Sequence, residues 1–378
     1  MALKGVKVME FLGLAPGPFC GAILADFGAS VTVISKIQSS SFDVMSNGKR
    51  NISLDLKSKE GTDIITRMCK TTDVLLDTFR PGVMEKLGLG PDILTKHNPR
   101  LIYARLSGYG QSGPYKDKAG HDINYVAMSG ILSLLAKNKE PPTPPLNLLA
   151  DFAGGSVLCS LGIILALFER TRSGKGQVID SGMTDGLFYL SSWILRSQFL
   201  PIWAGEPGSN ILDGGFAAYK TYKTKDGKFM AVGALEPKFY INFLKGLQLT
   251  DDEYPQYSDN DRNEKKFTEI FLQKSQNEWC QVFKNLDACV TPVLEMTNLE
   301  TNEYYDAKKP MYRDSNNMII PEPCPKLSRT PGTTMAKKSP TLQGLHTKEV
   351  LQELGYSTTE INNFINTGKV FSANKSNL

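Results

Sequence analysis

The first 108 residues constrain the fold more than any other part of the chain, because short apolar runs alternate there with helical patterns. The run GVKVMEF at 5–11 reads as a strand, and the loop Gly13-Leu14-Ala15-Pro16-Gly17-Pro18 leads into a helical FCGAILADFG and a second strand, SVTVIS, at 30–35. The alternation continues through ISLDL at 52–56, a helix over 58–70, DVLLDTF at 73–79, a helical GVMEKLG and RLIYARLSG at 100–108. Strands separated by helices are joined by crossovers, which give a mainly parallel sheet with helices on its faces. The expected class is α/β, with a Rossmann-like large domain. A glycine-rich turn entering a helix is also where a dinucleotide pyrophosphate binds. GLAPGP lacks the GxGxxG spacing, and its two prolines remove N–H donors, so a rigid strand-to-helix turn is the preferred reading.

At 378 residues two domains are expected. After PPTPPLN at 141–147 come a helical stretch at 151–172, a strand GQVID at 176–180 and a helix at 183–199. The apolar run SVLCSLGIILALF at 156–168, closed by Glu169, Arg170 and Arg172, is short for a bilayer and reads as a buried core helix. From about 209 the strands alternate around Asp226-Gly227, a hairpin signal for an antiparallel sheet. Helical segments near 237–247 and 262–285 follow, then a Pro-rich stretch at 321–340 and one or two short helices in TKEVLQELGYSTTEINNFI. The expected domains are a large α/β domain at 1–200, a smaller α+β domain at 209–315, and a return linker with C-terminal helices packing on the large domain at 320–378.

A net charge of +4 without a block of like charges argues against nucleic-acid and membrane-surface partners. Six scattered cysteines without a CxxC pair argue against a zinc site or a disulfide framework. The first strand begins too early to leave room for a signal or transit peptide. The ending Ser376-Asn377-Leu378 is close to an SKL-type address. It sets an expectation of a peroxisomal import receptor as partner and the peroxisome as location, with the mitochondrion as the alternative.

Three histidines are present, and His121 sits in GHDINY between a glycine and a carboxylate. Neither His97 nor His346 supplies HxxH or HExxH spacing, so metal ligation is the poorest of its readings. A structural imidazole is commoner than a proton carrier. Asp151 in NLLADFAGG could cap a helix or exchange protons. The glycines Gly154-Gly155 point to close approach by a backbone or ligand. As a pair, His121 and Asp151 could work as acid and base. Apolar neighbours at 148–150 would raise the Asp151 pKa and a helix N-terminus would lower it; the residues alone leave that balance open. Lys36, Lys49, Arg50, Lys57 and Arg80 fall at strand ends or in loops, where they could dock phosphates or form a solvated rim. Glu236 in VGALEPKFY is either a site residue or a first-turn charge.

The strings LAPGPFCGAILADFGA, GKRNISLDLK, FRPGVMEKLGLGP, NPRLIYARLSGYGQSGP, AGHDINY, NLLADFAGG and GKGQVID resemble those of family III CoA-transferases, and the likeness runs through GGFAAYKTYKTKDGKFMAVGALEP to the tail. That resemblance implies the family III CoA-transferase fold, in an interlocked homodimer with active sites at subunit junctions. More narrowly, it implies racemisation of 2-methylacyl-CoA thioesters through an enolate, with no cofactor beyond the CoA of the substrate. His121 and Asp151 then match the acid/base pair, Glu236 would support His121, and Asn147 and Asp122 would lie nearby. The CoA moiety would be held by Lys36, by Leu54-Asp55-Leu56-Lys57, by Arg80 and by Gly120, His121, Asp122, Ile123, Asn124 and Tyr125. Backbone N–H groups from Asp151 onward are the expected enolate donors. The sequence departs from the family where Ser35-Lys36-Ile37 stands in place of an acidic residue and an Arg-Pro pair, and lysine lacks arginine's planar, bidentate contacts. Two other readings are a CoA-transferase with Asp151 as nucleophile, which needs no histidine at 121, and a non-catalytic CoA-binding protein.

Overall fold

The computed structural model describes residues 1–37, 43–137, 140–314 and 316–373; the terminal tripeptide lies outside them. Contacts divide the chain into two compact units, one of Met1–Ser129, Pro145–Leu190 and Pro310–Leu378, the other of Gly130–Pro144 and Ser191–Lys309. These limits differ from the expected 200, 209–315 and 320. The segment after Gly130 leaves the first unit for the second, and the second begins at Ser191.

In the first unit the strands β1 (Lys7–Phe11), β2 (Ser30–Lys36), β3 (Arg50–Leu54), β4 (Val74–Asp77), β5 (Ile102–Ser107) and β6 (Val178–Gly182) form a parallel sheet in the order β3-β2-β1-β4-β5-β6. Helices α1 (Pro16–Asp26), α2 (Lys59–Cys69), α3 (Val83–Lys86), α4 (Pro91–His97), α5 (Asp122–Met128), α6 (Leu158–Ser173) and α7 (Met183–Leu190) connect or flank the strands. As expected, this is a mixed α/β fold around a largely parallel sheet. The order reverses direction between β1 and β4, and ligands of open parallel sheets bind outside the strand C-termini at such a switch point.

Pro16 opens α1, where its missing N–H is one of the helix's orphans anyway. The glycines of the preceding loop serve packing. A Cβ on Gly13 would stand 2.4 Å from Thr78 Oγ1, and one on Gly17 would stand 2.3 Å from Thr78 Cγ2. The loop is therefore the rigid turn that its composition suggested.

The expected helix at 151–172 is different in kind. A π-helical segment, Leu148–Val157, runs directly into α6. Together they span 26 residues and are long and apolar enough to cross a membrane by length and composition, so the short-run argument does not apply. Nor is α6 a fully buried core helix. Cys159, Ser160, Ile163 and Ala166 face inward, whereas Leu161, Ile164, Leu165 and Phe168, with Val157 just before them, form an exposed apolar stripe.

The second unit contains α8 (Ser192–Ser197), an antiparallel sheet of β7 (Tyr219–Lys223), β8 (Phe229–Gly233) and β9 (Val290–Pro292), and helices α9 (Pro237–Leu247), α10 (Asn260–Phe271), α11 (Gln276–Phe283) and α12 (Glu303–Lys308). The helix expected over 262–285 divides because Ser275 and Glu278 form a capping box that restarts it. The chain then returns to the first unit through the hairpin β10 (Met311–Arg313) and β11 (Ile319–Pro321). It ends in α13 (Thr347–Glu353), α14 (Thr358–Asn366) and β12 (Val370–Phe371), whose strand pairs antiparallel with β3.

Candidate active site

A cleft of about 200 Å³ lies at the switch point of the first unit. It is formed by Leu14, Pro16 and Gly17 after β1, Thr78 to Pro81 after β4, Leu106 to Tyr109 at and beyond the end of β5, and Met183 at the start of α7. Both His121 and Asp151 line it, with Gly120, Tyr125 and Arg80. Lys116 and Lys118 also line it. Neither lysine belongs to a recognisable motif; the polar loop GYGQSGPYKDKAG carries both into the site.

His121 is exposed in the cleft and immediately precedes α5, with its N–H donated to Asn124 Oδ1 at 3.0 Å. The glycine before it is required by packing, since a Cβ there would come within 2.7 Å of the Tyr125 ring. The Tyr125 hydroxyl donates to the Gly120 carbonyl at 2.6 Å, and its ring meets Tyr109 edge-on. Burial pushes the Tyr125 hydroxyl up to about 12, so it stays protonated. His346, by contrast, has a structural job: its Nδ1 accepts the Asn51 N–H at 3.1 Å. Among the described residues no three His, Cys, Asp or Glu side chains form a cluster able to hold a metal.

Asp151 does not cap a helix. The helical segment begins at Leu148, and Asp151 is its fourth residue. Its π geometry is held by close backbone packing: a Cβ on Gly154 would lie 2.7 Å from the Leu187 nitrogen, and one on Gly186 would lie 2.0 Å from the Gly154 carbonyl oxygen. Gly154 thus serves approach by another backbone, that of α7, whereas a Cβ on Gly155 would meet the Ala150 carbonyl oxygen at 3.0 Å and the Met183 side chain at 3.1 Å. π-helical turns are rare and concentrate at functional sites.

Asp122, the first residue of α5, is 4% exposed. Its Oδ2 accepts the N–H groups of Ala150 and Asp151, both at 2.8 Å. The Asp151 N–H is therefore occupied and is not available to an enolate, contrary to expectation. Asn147 Nδ2 donates to Asp151 Oδ2 at 3.4 Å. The Asp151 carboxyl is held above the usual range, chiefly by burial and next by the charge of Asp122; the Asn147 hydrogen bond and His121 act in the other direction.

Other candidates fall elsewhere. The side chains of Leu54 and Leu56 are buried in the core, the Asp55 N–H donates to the Lys369 carbonyl, and the Asp55 carboxylate accepts the Lys57 N–H. In that string only the exposed Lys57 side chain is open to an anion. Ile123 is exposed on α5. Lys36 Nζ stands 5.7 Å from the ring centroid of Phe79, which lines the cleft. Ser35 turns inward and donates to Asn51. Lys49 and Arg50 are not free to dock phosphates: Lys49 is buried against Glu10, and Arg50 pairs with Glu349 and Glu353. Glu236 lies in the second unit, exposed ahead of α9, and is not among the residues of the cleft.

Residues 3–347 match the model of CoA-transferase family III, and the chain belongs to that family. Within it, the chain is 53% identical to mouse alpha-methylacyl-CoA racemase, over 96% of this chain and 95% of the relative. It is 50% identical to the human alpha-methylacyl-CoA racemase, over 99% of both. The same fold occurs in a CaiB/BaiF family protein from Brucella suis, with a TM-score of 0.77 at 20% identity over 93% of this chain and 99% of that one.

Proposed function

We propose that this chain is an isomerase that interconverts the (2R) and (2S) forms of 2-methylacyl-CoA thioesters. Half the sequence is shared with curated racemases over essentially the whole length. The observation within the site that carries the reading is the presence of His121 and Asp151 in one cleft at the switch point. The thioester carbonyl acidifies the neighbouring C–H, and its removal leaves a planar enolate that accepts a proton on either face. His121 and Asp151 serve opposite faces: one removes the α-proton of an epimer while the other, in its acid form, delivers a proton to the opposite face of the enolate to give the other epimer, contributions of about 10²–10⁴ apiece for positioned groups. With the Asp151 N–H engaged, the enolate donors are assigned to the N–H groups of Asp122 and Ile123, which open α5 and have no intrahelical partner. Arg80, Lys116, Lys118, Lys36 and Lys57 supply positive charge for the CoA phosphates. The reaction needs no resident cofactor.

The apolar stripe of α6 supports a homodimer, as does the exposure of Phe188, Tyr189 and Leu190 on α7. In this reading Glu236 reaches His121 in the assembled enzyme. The tripeptide Ser376-Asn377-Leu378 would direct import into peroxisomes; relocation of a fluorescent fusion on its deletion tests this. Deuterium incorporation at the α-carbon of a panel of 2-methylacyl-CoA esters tests the main reading. Loss of exchange in both His121→Ala and Asp151→Ala, with CoA-ester binding retained, is the expected result. CoA exchange between acids without α-deuteration would favour a transferase using Asp151 as nucleophile. Binding without either reaction would leave a CoA-binding protein.

A further inference from the structure

We propose that Asp122 is a positioning residue for Asp151: its buried carboxylate fixes the backbone on which the proton-carrying aspartate is mounted, and its charge reverses the field of the helix end there. The inference rests on the racemase reading and goes beyond it by naming what makes an aspartate serviceable as a proton carrier.

Asp151 occupies the first turn of a helical segment, where free N–H groups place about half a positive charge. That field favours the carboxylate anion, and an aspartate in it would be a weak base for an α-proton. The structure changes the sign. Two of those N–H groups, from Ala150 and Asp151, end on Oδ2 of Asp122, both at 2.8 Å. The other oxygen, Oδ1, is buried and has no hydrogen-bond partner within the protein. About half a positive charge is thus met by one full negative charge, and the remainder repels the Asp151 anion. A proton carrier works best when its affinity lies near the working pH. The direction agrees: burial and then Asp122 hold the Asp151 carboxyl above its ordinary value.

The groups facing Asp151 are few. His121 and Asp122 approach from the start of α5, and Asn147 from the residue before the π segment. Arg80, Lys116, Lys118 and Tyr125 line the same cleft, while Pro16, Gly17 and Met183 add no charge from α1 and α7.

The test is Asp122→Asn, which keeps an oxygen for both N–H groups and removes the charge. With the epimer that Asp151 deprotonates, the acid limb of the kcat/KM profile for α-proton exchange is expected to move down by about one pH unit, with an unchanged circular dichroism spectrum. A merely structural role would lower kcat without moving the limb. Carbon-13 NMR of protein labelled at aspartate, with the Asp151 signal assigned by its loss in Asp151→Asn, titrates the carboxyl without reference to turnover and should show the same downward shift. If the Asp151 titration stays where it is in Asp122→Asn, the proposal is overturned. If the wild type exchanges no α-proton, the racemase reading fails by itself, and the NMR titration still decides the role of Asp122.

Discussion

The hydroxyl of Ser156 lies 2.7 Å from the carbonyl oxygen of Pro16 and 3.0 Å from that of Asp151. One buried side chain thus joins the turn that floors the cleft to the backbone of Asp151. Ser156→Ala would leave the Pro16 carbonyl without this donor, at a cost of about 1–3 kcal/mol. The larger effect should be kinetic. Displacing Asp151 by a fraction of an ångström is expected to lower kcat for α-proton exchange by about 10- to 100-fold, with little change in affinity for the CoA ester. An unaltered kcat would show that the tether does not matter.

Gly186 and Gly162 make a contrasting pair. A Cβ on Gly186 would lie 2.0 Å from the Gly154 carbonyl oxygen, whereas one on Gly162, inside α6, would meet nothing nearer than Ile179 Cγ2 at 3.4 Å. Gly186→Ala should cost about 1–3 kcal/mol and disturb the π segment. Gly162→Ala should be neutral or stabilising by up to about 1 kcal/mol. Urea denaturation of the two variants measures the difference directly.

Lys49 and Glu10 form a fully buried ion pair, and Lys49 also donates to the Pro18 carbonyl at 2.8 Å. Burial pushes the Glu10 carboxyl up to about 7 even though Lys49 opposes it. Because the folded state holds this proton more tightly than the unfolded chain does, the contribution of Glu10 to stability is full below its ordinary value of 4.5 and is lost as the pH rises toward 7. Lys49→Met removes the partner of the anion and should cost about 3–5 kcal/mol at pH 8, and distinctly less at pH 5. Equal costs at the two pH values, measured by denaturant titration, would contradict the sign of this linkage.

Lys36 places its ammonium above Phe79 at the edge of the cleft. Lys36→Arg puts a planar guanidinium at that position, where it can stack on the ring. A guanidinium there can also pair bidentately with a phosphate, which lysine cannot do, and a KM for the CoA ester lower by about 2- to 5-fold is expected, with kcat unchanged. Binding of free CoA by calorimetry should follow the same direction, and a KM that does not fall would place Lys36 outside the phosphate path.

Much of the sheet was legible in the sequence because β1, β2, β4 and β5 are short apolar runs separated by strong helical patterns, and Asp226-Gly227 marked the β7–β8 turn. His121 and Asp151 were also visible as residues, but their shared cleft was not, since it depends on the order of β1, β4 and β5 in the sheet. The π segment was missed because its register is set by Gly154 against α7, a tertiary contact with no local propensity signal. Asp122 read as a ligand contact beside His121; its real partners, the N–H groups of Ala150 and Asp151, are nearly thirty residues away. Lys49 looked like a surface cation because no sequence pattern announces its pairing with Glu10.

The return of the chain to its first unit orders events during synthesis. The core of the second unit is drawn from 216–288 alone, so it can consolidate as soon as that stretch has emerged. The core of the first joins Met9, Phe11 and Ile34 to Val350, Leu351, Ile361 and Val370. Closing so long a loop is slow on the scale of local contacts, and the sheet begun first must hold an unfinished apolar face until the last helices arrive. A nascent chain of this kind depends on its surroundings through most of translation, and a stall or a truncation ahead of α13 would expose that face to aggregation.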